Sequence, residues 1–116
     1  MKPTDLADCA ATELLAMYRA RQASPVEATH AVLARIERVN PKLLAFCHVA
    51  GDEAVESARA SEARWQRGEP IGALDGVPTS IKDLILTKGW PTLRGSRTVD
   101  PGQVWDVENL QPRFSR

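Results

Sequence analysis

The chain has little of what would commit it to a special environment. Aromatic residues fill only 5% of its 116 positions, and Cys9 and Cys47 are its only cysteines. The two lie far apart with no CxxC spacing, which fits two reduced, half-buried thiols better than a disulfide framework. His30 and His48 stand at no metal-ligand spacing with them, so no metal is expected. There is no surplus of charge: 15 basic and 15 acidic side chains give a formal net charge of zero. The expectation is therefore no nucleic acid and no anionic membrane as partner. No apolar run approaches the roughly 18 residues that a spanning helix needs. Met1-Lys2-Pro3-Thr4-Asp5 lacks the basic start and apolar core of a signal peptide, so a cytoplasmic location is expected. Internal repeats and low-complexity segments are missing as well.

What is present is an ordinary globular balance, 43% hydrophobic and 26% charged, at a length that fits one small domain. A chain this short buries only about two-thirds of its unfolded surface, so stability on its own is marginal. Leu14, Leu15, Met17 and Tyr18 among helix formers predict a short amphipathic helix over residues 12–22, with Leu14 and Tyr18 on its buried stripe. Ser24-Pro25-Val26-Glu27 is a start signal. Ser24 can accept a first-turn amide, Pro25 suits the first helical position, and Glu27 can reach back to the Ser24 amide. The helix it opens runs to Val39, with Val26, Leu33 and Ile36 buried along one side and Val32 and Val39 beside them. Asn40-Pro41 ends it.

Leu44-Ala45-Phe46-Cys47-His48-Val49 alternates and predicts a strand. A third, alanine-rich helix follows from Asp52 through Trp65 to Arg67, with Gly68 at the position that closes helices and Pro70 beyond it. From residue 70 the chain turns rich in Gly and Pro, which favours loops around one buried strand at 78–82.

That last segment carries the chemistry. In Gly72-Ala73-Leu74-Asp75-Gly76-Val77-Pro78-Thr79-Ser80-Ile81-Lys82-Asp83, a lysine and an aspartate close the expected strand. In open α/β sheets, the carboxyl ends of strands are where reacting groups gather. Taken alone, Lys82 reads as a solvated strand-end lysine paired with Asp83.

The same segment, continued by T-K-G-W-P-T-L-R-G-S, resembles the first signature block of the amidase-signature hydrolases. The capped helix from Ser24, the turn N-P-K-L-L-A-F, the alanine-rich helix and R-G-E-P-I-G-A-L follow in that family's order. The resemblance covers residues 10–101. It implies an α/β fold of which this chain is an N-terminal fragment: about three helices plus two short strands, loop-rich from residue 70. It also implies acyl-amide hydrolysis by a Ser–cis-Ser–Lys triad with no metal and no organic cofactor, on a small-molecule amide. Lys82 matches the lysine, which must give up its proton to act as a base through the bridging serine. Burial favours that loss. Neither Ser80 nor Ser96 matches a triad serine; both serines of the family lie downstream of this stretch.

Leu86 stands where many members carry an aspartate, and Trp90 where they carry a smaller apolar residue, which bears on substrate preference. Residues 1–106 are expected to be the N-terminal part of an amidase domain. Residues 107–116 (V-E-N-L-Q-P-R-F-S-R) form a tail that departs from the pattern. A chain holding the lysine without its serines is expected to be inactive alone, and to self-associate or take a partner chain through an exposed strand edge. The alternative is a non-catalytic helical adaptor that binds a partner through the surface that a full-length enzyme would bury.

Overall fold

Three helices carry the core in the computed structural model, which describes residues 5–100 and 102. Helix α1 spans Ala11–Arg19, α2 Pro25–Leu43 and α3 Gly51–Gln66, with a single 3₁₀ turn at Leu6–Asp8 ahead of them. The described residues divide after Pro78 into a helical unit and a second unit made of turns.

Each helix end follows from local chemistry. Ser24 caps α2, its hydroxyl accepting the Glu27 amide at 3.2 Å, and Pro25 takes the first helical position. Ser24→Ala is expected to cost about 1 kcal/mol of the helical unit's stability. A denaturant midpoint matching wild type would show that the cap does not hold the helix. At α1, Glu13 accepts the Ala10 amide at 2.9 Å, so a carboxylate satisfies a helix-start donor where no capping side chain is available. Helix α1 stops at Arg19, short of the expected Gln22, because Arg21 turns left-handed (φ 56°). The Arg21 and Gln22 amides then return to the Tyr18 and Met17 carbonyls. Gly68 does the same for α3, as its position in the sequence predicts: its φ is 72°, and the Gly68 and Glu69 amides close on Trp65 and Arg64.

The core is small. Leu14, Leu15, Met17 and Tyr18 of α1 meet Ala28 of α2, with Leu6, Cys9, Ala23, Trp65 and Val77 packed around them. Tyr18 and Trp65 meet at a ring-centroid distance of 5.8 Å, tilted by 56°. Burial on α2 falls on Pro25, Ala28 and Thr29, whereas Val26, Leu33 and Ile36 are only half-buried. Helix α2 packs along α3, where Ala58 and Ser61 are buried. Small side chains on both helices allow close approach, and the larger ones stand at the margin. Arg35 of α2 holds the 3₁₀ turn by ion pairs to Asp5 at 2.6 Å and Asp8 at 3.0 Å. The Ala7 amide and then Arg35 keep the Asp5 carboxyl below its ordinary value.

Several expectations need correction. The two short strands of the α/β expectation are not there: among the described residues the chain forms three helices and no strand. At 44–49 the chain is occupied otherwise. Helix α2 runs through Pro41 to Leu43 instead of stopping before it, because proline removes one donor without forcing an end. Leu44 then caps α2 in the left-handed region (φ 50°). The Asn40 side chain takes both backbone groups of Phe46, accepting its amide at 2.9 Å and donating to its carbonyl at 3.0 Å. A side chain thus satisfies backbone groups that a neighbouring strand would have paired. Residues 78–82 form no strand either, since no second strand is described to supply a ladder. The strand edge expected to drive self-association goes with them. Cys47 is exposed rather than half-buried; Cys9 is half-buried as expected. The tail at 107–116 lies outside the described residues. No described helix is long and apolar enough to cross a membrane.

Candidate functional site

The signature segment is built in two parts, one in each unit. In the helical unit, Leu74-Asp75-Gly76-Val77 lies against α1, α2 and α3. Arg64 of α3 grips the Asp75 carboxylate with two nitrogens, Nε to Oδ2 at 2.8 Å and Nη2 to Oδ1 at 2.7 Å. The Ser61 hydroxyl donates to Oδ1 at 2.7 Å and the Ile71 amide to Oδ2 at 3.1 Å. The Asp75 side chain is only 3% exposed. Arg64 foremost, with Ser61 and the Ile71 amide, holds its carboxyl down at about 2 against burial, which opposes the charge.

The backbone is held as firmly. Trp65 Nε1 donates to the Asp75 carbonyl at 3.0 Å, and the Tyr18 hydroxyl to the Gly76 carbonyl at 2.9 Å. Burial pushes the Tyr18 phenol up to about 12, so it stays a donor across the ordinary pH range. Gly76 has φ 87°, and a Cβ there would lie 2.6 Å from both Pro25 Cγ and Ser61 Oγ. Only glycine fits this position.

In the second unit, Lys82 is exposed and sits in a turn closed by the Ile85 amide on the Lys82 carbonyl at 3.0 Å. The next residue, Asp83, reaches across to the loop at 92–96. Its Oδ1 accepts the Leu93 amide at 2.8 Å and its Oδ2 the Gly95 amide at 3.2 Å. Its backbone carbonyl accepts the Arg94 amide at 3.1 Å. Arg94 and Gly95 both adopt positive φ, 55° and 65°, in a loop whose three successive amides all turn toward Asp83, two to its carboxylate and one to its carbonyl. The buried Thr92 donates to the Ile85 carbonyl at 3.3 Å.

Sequence reasoning selected Lys82 and missed the side chains that anchor the signature segment in the helical unit. Ser80 is exposed. Ser96 shares a 2.7 Å hydrogen bond with Thr98 and accepts the Thr98 amide, as a loop serine does. Asp75, Arg64 and Ser61 were unassigned. Their signal was the Asp-Gly pair after a helix offering Ser and Arg three positions apart, on one face. Among the described residues no three His, Cys, Asp or Glu side chains gather to hold a metal ion.

Known proteins resemble this chain over most of its length. The chain is 48% identical over 95 residues to a glutamyl-tRNA(Gln) amidotransferase subunit of Myxococcus xanthus, covering 82% of this chain and 20% of that protein. The corresponding protein of Thermobifida fusca is 44% identical over 100 residues, covering 86% of this chain and 20% of that one. The chain thus spans about a fifth of the length of these relatives. Among solved structures, a bacterial aryl acylamidase of the amidase-signature family superimposes with a TM-score of 0.71 at 36% identity, over 84% of this chain and 21% of that one. The amidase family profile matches residues 27–101, which take in α3, all but the first two residues of α2, the Asp75–Gly76 anchor and the turn bearing Lys82, and the chain belongs to that family.

Proposed function

We propose that these 116 residues supply the lysine base of an acyl-amide-hydrolysing site, and that Lys82 is that base. The observation that carries it is the place of Lys82 in the I-K-D turn within the matched residues 27–101. An amide as the substrate class is supported by the relatives, named as amidotransferase subunits and an aryl acylamidase. In the mechanism that the resemblance implies, the neutral lysine accepts a proton through a bridging serine, and a second serine attacks the amide carbonyl. This chain provides neither serine in a matching position, so by itself it has a base and no nucleophile.

Two measurements test this. The chain alone is expected to hydrolyse no aliphatic or aryl amide; turnover that vanishes in Lys82→Ala would overturn that. Residues 27–101 exchanged into the aryl acylamidase are expected to leave an active enzyme. Lys82→Ala should then lower kcat at least about 10³-fold, as loss of a member of a catalytic triad does. A folded chimaera whose turnover survives Lys82→Ala would remove Lys82 from the mechanism.

A further inference from the structure

Asp83 makes three hydrogen bonds to three successive residues. Its two carboxylate oxygens take the Leu93 and Gly95 amides, and its carbonyl takes the amide of Arg94 between them. Two of those residues stand at positive φ, and at Arg94 this costs backbone strain that an outside partner must offset. Two residues beyond Asp83, the Ile85 amide closes a turn on the Lys82 carbonyl, and the Ile85 carbonyl in turn accepts Thr92 of the same loop. Lys82 is therefore held from its C-terminal side. The residue after it and the residue that closes its turn are both tied to 92–95.

We propose that Asp83 is a positioning residue for Lys82: by gripping the 93–95 amides it fixes the backbone from which the lysine side chain projects. A lysine side chain rotates freely along its length, so a base delivered from an unfixed turn would spread over many positions, and proton transfer needs reach of about 3 Å. A carboxylate clamped by backbone amides is charge-assisted and directional, which suits it to hold a loop against a short turn. The functional meaning of this clamp rests on Lys82 being the base. The clamp itself does not.

Amide hydrogen exchange of the 116-residue chain, read by NMR, tests it. In Asp83→Ala the Leu93 and Gly95 amides should exchange about tenfold faster or more, as befits lost hydrogen bonds to a charged group. The Ile85 amide, which reports the turn on Lys82, should accelerate with them, while Leu14 and Ala28 in the helices keep their wild-type rates. Asp83→Asn, of the same shape with one acceptor oxygen, should release one of the two loop amides. Asp83→Glu, which keeps the carboxylate, should restore part of the protection at Ile85. If Ile85 holds its rate while Leu93 and Gly95 speed up, the clamp orders the loop but not the lysine, and the proposal fails. It fails equally if no rate changes. Lys82→Ala should leave all three rates alone, so the clamp is judged apart from the lysine's chemistry, which the chimaera decides.

Discussion

Gly76→Ala is expected to be the most damaging single methyl group that can be added to the helical unit, costing about 2–5 kcal/mol. Two penalties combine. The new Cβ meets Pro25 Cγ and Ser61 Oγ at 2.6 Å, where both neighbours are fixed. Pro25 is the buried first residue of α2, and Ser61 is committed to Asp75. Overpacking of this kind costs about 1–3 kcal/mol, and a φ of 87° adds about 1–2 kcal/mol for any residue with a Cβ. Gly68→Ala is the control. Its φ of 72° is similar, but nothing lies within 4 Å of the added carbon, so it should lose only the backbone part. Denaturant midpoints of the two variants separate the terms. Equal losses would mean that Gly76 is not pressed against Pro25 of α2 and Ser61 of α3.

Asp75→Ala should cost nearly as much, about 3 kcal/mol. It strands the Arg64 guanidinium, the Ser61 hydroxyl and the Ile71 amide together. Breaking a buried pair costs about 3–5 kcal/mol, and the 23% exposure of Arg64 puts this case at the lower end. The pH dependence carries a definite sign. The Asp75 carboxyl is held at about 2 in the fold, against about 3.9 when unfolded. The unfolded chain therefore takes up the proton first as the pH falls. The contribution, about 2–3 kcal/mol, is complete above pH ~4 and disappears as the pH drops through about 2. Asp5 adds to the same acid limb, since its carboxyl is also lowered. The difference between wild type and Asp75→Asn isolates the Asp75 share. It should shrink as the pH falls from about 4 to about 2. A difference that stays constant over that range would show that the carboxylate charge is not what Arg64 holds.

The helices were legible because their signals are local. Ser24-Pro25 and Gly68 each announce an end through one residue's backbone chemistry, and Leu14 and Tyr18 announce a stripe through spacing. Strands at 44–49 and 78–82 were misread because alternation and apolar character say nothing about a partner, and a strand needs one. Pro41 was misread for a related reason. A missing donor favours termination, but it does not forbid one more turn, and Leu44 closes α2 only after that turn is made. In the candidate site, Lys82 stands out in the sequence as part of a motif. The anchor around Asp75 was not, because Ser61 and Arg64 meet it only after the chain folds back on α3. Asp83 looked like a charge partner for its neighbour, yet its carboxylate serves backbone amides ten and twelve residues on.

The clamp that Asn40 places on Phe46 bears on how the molecule ages. An asparagine whose amide both donates and accepts cannot become aspartate without setting an oxygen against the Phe46 carbonyl, which would repel it. The usual spontaneous route to that change is attack on the side-chain amide by the next residue's backbone nitrogen, which must carry a hydrogen. Here the next residue is Pro41, whose nitrogen has none. The residue that takes a donor out of α2 is thus the one that closes this deamidation route to Asn40, whose amide holds the turn at 40–46.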